Sequence, residues 1–143
     1  KESVMDPRKI DENITVSPQI RADDVAELAR AGFRAIICNR PDGEDEGQPA
    51  AQDIRTAAEA AGLAFHHIPT VSGQFPEEAV AAFRDAPQSA GGPVFAYCRS
   101  GTRCATLDAL ANPDGKPAEE IIADARAAGY DLAPHRARIE AGG

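Results

Sequence analysis

The chain has 143 residues, 43% of them apolar and 27% charged, with a formal net charge of −8. That balance suits one globular domain, long enough to bury a core without disulfides or a metal and too apolar to stay disordered. The acidic surface argues against a nucleic-acid partner, and no apolar run approaches the ~20 residues of a membrane span.

Three cysteines at scattered positions fit a reducing cytoplasm better than a secreted disulfide framework. No Cys/His spacing resembles a zinc site, and no cofactor is implied. The start carries no signal-peptide core. Met5 reads as a natural start, with residues 1–4 a cloning or upstream remnant and the catalytic domain expected over residues 5–140.

In chain order, residues 14–17 (Ile-Thr-Val-Ser) predict a first strand closed by Pro18. Residues 21–30 place Val25, Leu28 and Ala29 at helical spacing behind Asp23 and Asp24, and Gly32 is a stop. Residues 33–38 form a buried-strand run, and residues 39–49, with Pro41, Gly43, Gly47 and Pro49, read as a loop. A helix over 51–61 ends at Gly62, and a strand over 63–68 is broken by Pro69. Pro76 opens a helix over 77–85. Residues 94–97 are a strand, 98–102 a loop, and 103–111 a helix stopped by Asn112-Pro113-Asp114-Gly115. A helix over 117–128 is capped by Gly129, and the tail 133–140 has weak helical character. Strands alternating with helices predict an α/β fold: one domain with a central, mainly parallel sheet flanked by helices. Ligands of such sheets bind beyond the carboxyl ends of the strands, where Cys98 falls.

Cys98-Arg99-Ser100-Gly101-Thr102-Arg103 stands between a strand and a helix. Successive backbone N–H groups in such a loop converge on one anion, and the helix N-terminus adds positive potential. Gly101 lets the backbone turn. Arg103 forks hydrogen bonds onto an oxyanion, and Arg99 adds charge. These features predict a Cys98 pKa well below the free value of ~8.5, and a nucleophile at neutral pH. A cysteine that merely filled the core would have no need of two arginines and a glycine within five residues.

Residues 97–103 resemble the active-site loop of rhodanese sulfurtransferases, with four residues between Cys and Arg. Residues 13–44, 65–70, 77–83 and 94–103 follow the order of a small dual-specificity phosphatase. The combination is similar to the bacterial phosphatase-like sulfurtransferase family (beta-lactamase-hydrolase-like, DUF442), some members of which are fused to a persulfide dioxygenase. The resemblance implies a protein tyrosine phosphatase-like fold. Two departures from phosphatases stand out. Those have five residues between Cys and Arg and a histidine before the Cys, where this chain has four and Tyr97. They also carry an aspartate on an upstream loop as general acid, where this chain has Thr70-Val71-Ser72-Gly73-Gln74-Phe75.

The expected function is therefore sulfane-sulfur transfer through a Cys98 persulfide, from a small anionic sulfur donor such as thiosulfate to a thiol or cyanide acceptor. Arg103 acts on the oxyanion, and Arg99, Ser100, Gly101, Thr102, Cys104, Arg40 and Ser72 line the donor site. A persulfide dioxygenase domain or protein is a candidate partner. Two alternatives stand beside it: a cysteine-dependent phosphatase acting through phosphocysteine, and a persulfide-carrying or redox-sensing module. Cys104 stands where the related families show Ser or Thr; it is either a partner of Cys98 or a packing residue. Cys38 reads as core and His135 as solvated. Of His66 and His67, which face opposite ways along one strand, one reads as structural. Asp42 and Glu44 are the carboxylates a phosphatase could use as acid, although no sequence feature places them at the sulfur.

Overall fold

The protein is described by a computed structural model covering residues 5–142, so the reading of residues 1–4 lies outside the described residues. Strands β1 (Arg8–Lys9), β2 (Ile14–Ser17), β3 (Ala35–Cys38), β4 (Ala64–His67) and β5 (Val94–Tyr97) form one five-stranded sheet in the order β1-β2-β5-β3-β4. Only the β1–β2 pair is antiparallel. Helices α1 (Val25–Arg30), α2 (Ala51–Ala60), α3 (Glu77–Asp85), α4 (Thr102–Ala111), α5 (Ala118–Ala127) and α6 (Arg136–Glu140) connect and follow the strands.

The period-two alternation of the strands feeds two cores. Ile36, Cys38, Phe95 and Tyr97 face one side and pack on Val25, Leu28, Ile54 and Ala58 of α1 and α2. Ala35, Ile37, Val94 and Ala96 face the other and pack on Val80, Phe83, Leu107, Leu110 and Ile122 of α3, α4 and α5. A parallel sheet covered on both faces is therefore apolar at every position of β3 and β5. Helix α4 runs through the second core and is buried along its length except at Thr102 and Asp108.

The strands and helices fall where the apolar pattern places them, with two differences. Residues 22–24 form a 3-10 turn ahead of α1, because the Asp24 carboxylate accepts the Arg21 N–H at 2.9 Å and tightens the entry. Strand β1 is two exposed, charged residues paired to the sheet edge, too short to leave a periodicity; it covers β2 and blunts the edge. No helix among the described residues is long and apolar enough to cross a membrane.

Candidate active site

The register brings four carboxyl ends to one level, with Ser17 opposite Tyr97 and Tyr97 opposite Cys38, itself opposite His67. Hydrogen bonds continue the sheet one step further. Cys98 N–H donates to Ser17 O (3.2 Å), Asn39 N–H to Tyr97 O (2.9 Å) and Thr70 N–H to Asn39 O (3.0 Å). Three loops, residues 39–50, 68–76 and 98–101, are thus fixed side by side above the sheet.

The loop from β5 turns sharply into α4. Gly101 takes φ +93° as the residue before the helix, and its N–H lies 3.1 Å from Cys98 Sγ. A side chain there would strike the Tyr130 hydroxyl, which donates to Ser100 O at 3.2 Å. Cys98 itself is fully buried, which alone would raise a thiol pKa. Its pKa is instead lowered from 9.0 to about 5. The largest cause is a hydrogen bond from the Cys104 thiol; burial comes next and opposes it, and the backbone N–H groups of Cys104, Ser100 and Gly101 together with the thiol more than offset burial. Cys104, one helical residue beyond Arg103 and fully buried, is pushed well above its usual value by burial first and by its bond to Cys98. A protonated thiol therefore donates to a thiolate.

Arg103 is buried, and its Nη1 donates to Glu44 Oε2 (2.8 Å) and Thr70 O (2.8 Å), its Nη2 to Glu44 Oε1 (2.9 Å). Its pKa is raised by the Glu44 bond first and, against burial, by the neighbouring Cys98 charge. Glu44 is held down to about 2, first by the Arg103 bonds and then by Arg40. A bidentate carboxylate fixes the plane of a guanidinium, so Arg103 arrives pre-aimed.

Arg40 is placed differently from expectation. It is buried, and its nitrogens donate to Glu44 Oε1 (3.0 Å), Gln19 Oε1 (3.0 Å) and Asp45 Oδ2 (2.7 Å), while its carbonyl receives Cys38 Sγ (3.4 Å) and contacts His67 Nε2 (3.0 Å). It braces Glu44 and has no free face for an incoming anion. Arg99 is exposed on the loop, 3.5 Å from Asp45 Oδ2. Ser100 and Thr102 are exposed and joined hydroxyl to hydroxyl at 3.0 Å. Ser72 is exposed on the facing loop. His135 is half-buried against Phe75, with ring centroids 5.7 Å apart, rather than solvated. Glu44 as the clamp on Arg103 and Tyr130 as a contact of the loop are not legible in the sequence. They lie 59 and 30 residues from their partners, with no local spacing to signal it. Among the described residues no cluster of His, Cys, Asp and Glu could hold a metal ion.

The family model described as Beta-lactamase hydrolase-like protein, phosphatase-like domain, matches residues 6–115. The Beta-lactamase hydrolase-like protein of Agrobacterium fabrum is 38% identical over 126 residues, covering 87% of this chain. The chain spans only 29% of that relative's length. A crystal structure of a candidate phosphatase from Neisseria meningitidis is 40% identical, covering 95% of this chain and 97% of its own, with a TM-score of 0.81. The active form of Tk-PTP shares the fold at a TM-score of 0.71 and 18% identity, covering 93% of this chain and 92% of its own.

These findings overturn the expectation of a sulfurtransferase. The four-residue spacing between Cys98 and Arg103 suggests sulfur chemistry, yet it sits in a chain whose matched family and solved relatives are phosphatase-like. Physically, what shapes an anion cradle is where the N–H groups and the guanidinium point. Here the thiolate, amides and clamped Arg103 converge without the fifth residue. The comparisons carry no sign of sulfur transfer, and the chain belongs to the Beta-lactamase hydrolase-like protein family, as its phosphatase-like domain.

Proposed function

We propose that this chain is a cysteine-dependent phosphatase of the protein tyrosine or dual-specificity type, working through a phosphocysteine at Cys98. The observation that carries the reading is the Cys98 thiolate, ionised from about pH 5 upward inside a loop whose N–H groups and Arg103 face one point. Such a loop binds the three equatorial oxygens of a phosphoryl group in transfer, and the thiolate attacks phosphorus in line with the leaving oxygen. Arg103 neutralises charge gathering on those oxygens, and Glu44 and Thr70 O hold it in place so that it need not reorganise during the reaction. Cys104 keeps the thiolate ionised and, once sulfur is bonded to phosphorus, remains as a donor that favours its return as leaving group. Water then attacks the phosphocysteine and releases phosphate. Arg99, Ser100 and Thr102 stand at the exposed edge of the loop, where the rest of a substrate would lie. The match to the Neisseria meningitidis structure supports the reading, since it is described as a candidate phosphatase and aligns over almost its whole length.

The test is phosphate release from 4-nitrophenyl phosphate, with acid-quench trapping of labelled phosphocysteine. Turnover by the parent, together with loss of turnover and of label in Cys98→Ser, is the expected result. A Cys98→Ser variant that still released phosphate would sink the proposal.

A further inference from the structure

The site, read as a phosphatase, still has to dispose of the leaving oxygen. That oxygen departs with the electron pair of the broken P–O bond, and a positioned acid that protonates it contributes about 10²–10⁴-fold. The groups around the Cys98 loop are otherwise engaged. The facing loop offers Thr70, Ser72 and Gln74, two hydroxyls and an amide, and Thr70 Oγ1 donates to Ile68 O (3.1 Å). Glu44, which the sequence suggested as an acid, is clamped by two guanidinium groups and holds its proton only below about pH 2. Asp42 Oδ1 accepts the Ala51 N–H (2.8 Å) at the start of α2, and Asp45 Oδ2 lies on Arg40 and Arg99. The Tyr130 hydroxyl donates to Ser100 O, and burial holds its proton more tightly than usual. The His67 ring is held at Arg40 O and the His135 ring lies edge-on to Phe75.

We infer that the site acts on phosphoanhydrides, expelling phosphate or a phosphate monoester as the leaving group; this rests on the phosphatase reading above. A leaving group that departs without a proton must already be a stable anion. Phenolate, from an acid of pKa ~10, meets that condition poorly and an alkoxide far worse. A phosphate whose second pKa is ~6 meets it at neutral pH. The exposed Arg99 guanidinium, whose side chain is 66% exposed on the loop itself, is a positive counterpart for a leaving group that carries its own negative charge. In the first step the Cys98 Sγ–P bond forms, the bridging P–O bond breaks, and the departing phosphate keeps the electron pair as a dianion; a monoester needs no proton for this, and inorganic pyrophosphate brings one on its leaving phosphate. In the second, water attacks phosphorus, the S–P bond breaks, and its electrons return to Cys98 as thiolate. The water's two protons stay with the product dihydrogen phosphate or pass to solvent. Nothing is oxidised or reduced.

The experiment compares inorganic pyrophosphate, 4-nitrophenyl phosphate and phenyl phosphate as substrates of the same protein, each by phosphate release across pH. The expected result is turnover of the first two and a kcat/KM for phenyl phosphate lower than for 4-nitrophenyl phosphate by at least about 10²-fold. Activity on 4-nitrophenyl phosphate should hold level on the alkaline side, since no donor loses its proton there. Three outcomes overturn the inference but leave the phosphatase reading standing. These are a ratio smaller than that, an alkaline fall in rate, or pyrophosphate left intact while 4-nitrophenyl phosphate turns over. No phosphate from any of the three substrates overturns the reading itself.

Discussion

Removing the Cys104 sulfur should move the ionisation of a different residue, Cys98. The Cys104 thiol is the largest of the contacts that lower Cys98 to about 5, ahead of the three backbone N–H groups. A hydrogen bond to a charged group is worth about 1.5–3 kcal/mol, and each pH unit of midpoint corresponds to ~1.36 kcal/mol. Cys104→Ala should therefore carry the midpoint from about 5 up to between about 6 and 7. Cys104→Ser restores a donor of similar reach, so its midpoint should fall back toward the parent's. The assay is thiolate ultraviolet absorbance against pH, with Cys98→Ser as the blank. Cys38 and Cys104 are both pushed upward, mainly by burial, and do not interfere in the acidic range. Linkage gives a second readout. A thiol lowered on folding adds stability that is complete above its unfolded pKa of ~8.5 and is lost as pH falls through about 5. By pH 7 the parent has gained roughly 3 kcal/mol of it, so the stability gap between parent and Cys98→Ser should widen from pH 5 to pH 8. A midpoint that stayed near 5 in Cys104→Ala would refute the donor role, leaving the amides and α4 as the whole cause.

Other perturbations follow from the same geometry. Arg103→Lys keeps the charge but cannot span both Glu44 oxygens and Thr70 O; kcat should fall on the order of 10²–10³-fold, and a loss under twofold would place Arg103 outside the chemistry. Gly101→Ala forces a left-handed residue against Tyr130 Cζ (3.1 Å) and Ser17 C (3.4 Å); the conformation alone costs ~1–2 kcal/mol, so Tm should drop by several degrees, and an unchanged melting curve would count against the strained turn. Asp108 is raised from 3.8 to about 7, by burial first and the Asp11 charge next; a carboxyl raised on folding loses stability as pH climbs from about 4 to 7, so Asp108→Asn should gain about 1–2 kcal/mol above pH 7, after solvent screening, and nothing below pH 4. Denaturant melts at the two pH values check it, and a gain confined to the acidic side would reverse the assignment. Stoichiometric peroxide should turn Cys98 to a sulfenic acid, which condenses with the Cys104 thiol to a disulfide and water; peptide mapping that found Cys98 sulfinic acid beside a free Cys104 would show that the two sulfurs cannot meet.

The fold was legible because its signals are local. Continuous apolar runs mark β3 and β5, Pro76 precedes α3, and Gly62 and Gly129 follow helices at left-handed φ. The Cys98 loop was legible for the same reason, being contiguous from Cys98 to Arg103. Its chemistry was not, because spacing within one loop says little about what the loop meets. The sequence offers Arg40 as a residue of the donor site, and only the fold shows it boxed in by Gln19, Glu44 and Asp45. The carboxylate-free stretch from Thr70 to Phe75 points away from phosphate esters when taken alone; on the phosphoanhydride proposal it instead limits which leaving groups can depart.

Cys38 and Cys98 show how position, rather than residue type, makes a thiolate here. They end or follow adjacent parallel strands, with Cys38 paired to Tyr97 in the register, and both are buried to within 2% of full coverage. Yet Cys38 is pushed up and Cys98 is drawn down to about 5. Burial acts on both in the same direction, so it cannot be the difference. After Cys38 the chain enters a long loop without a helix until Ala51, and the Tyr97 side chain and Arg40 backbone beside its sulfur lower its pKa too little to offset burial. After Cys98 the chain turns at once through Gly101 into α4, and its sulfur meets donors: Gly101 N–H, other backbone N–H groups and the Cys104 thiol. The second arrangement needs a residue that tolerates φ +93° three positions on, and a helix N-terminus within reach. Moving the cysteine one strand over, with every side-chain neighbour kept apolar, would therefore lose the thiolate while leaving the packing nearly intact.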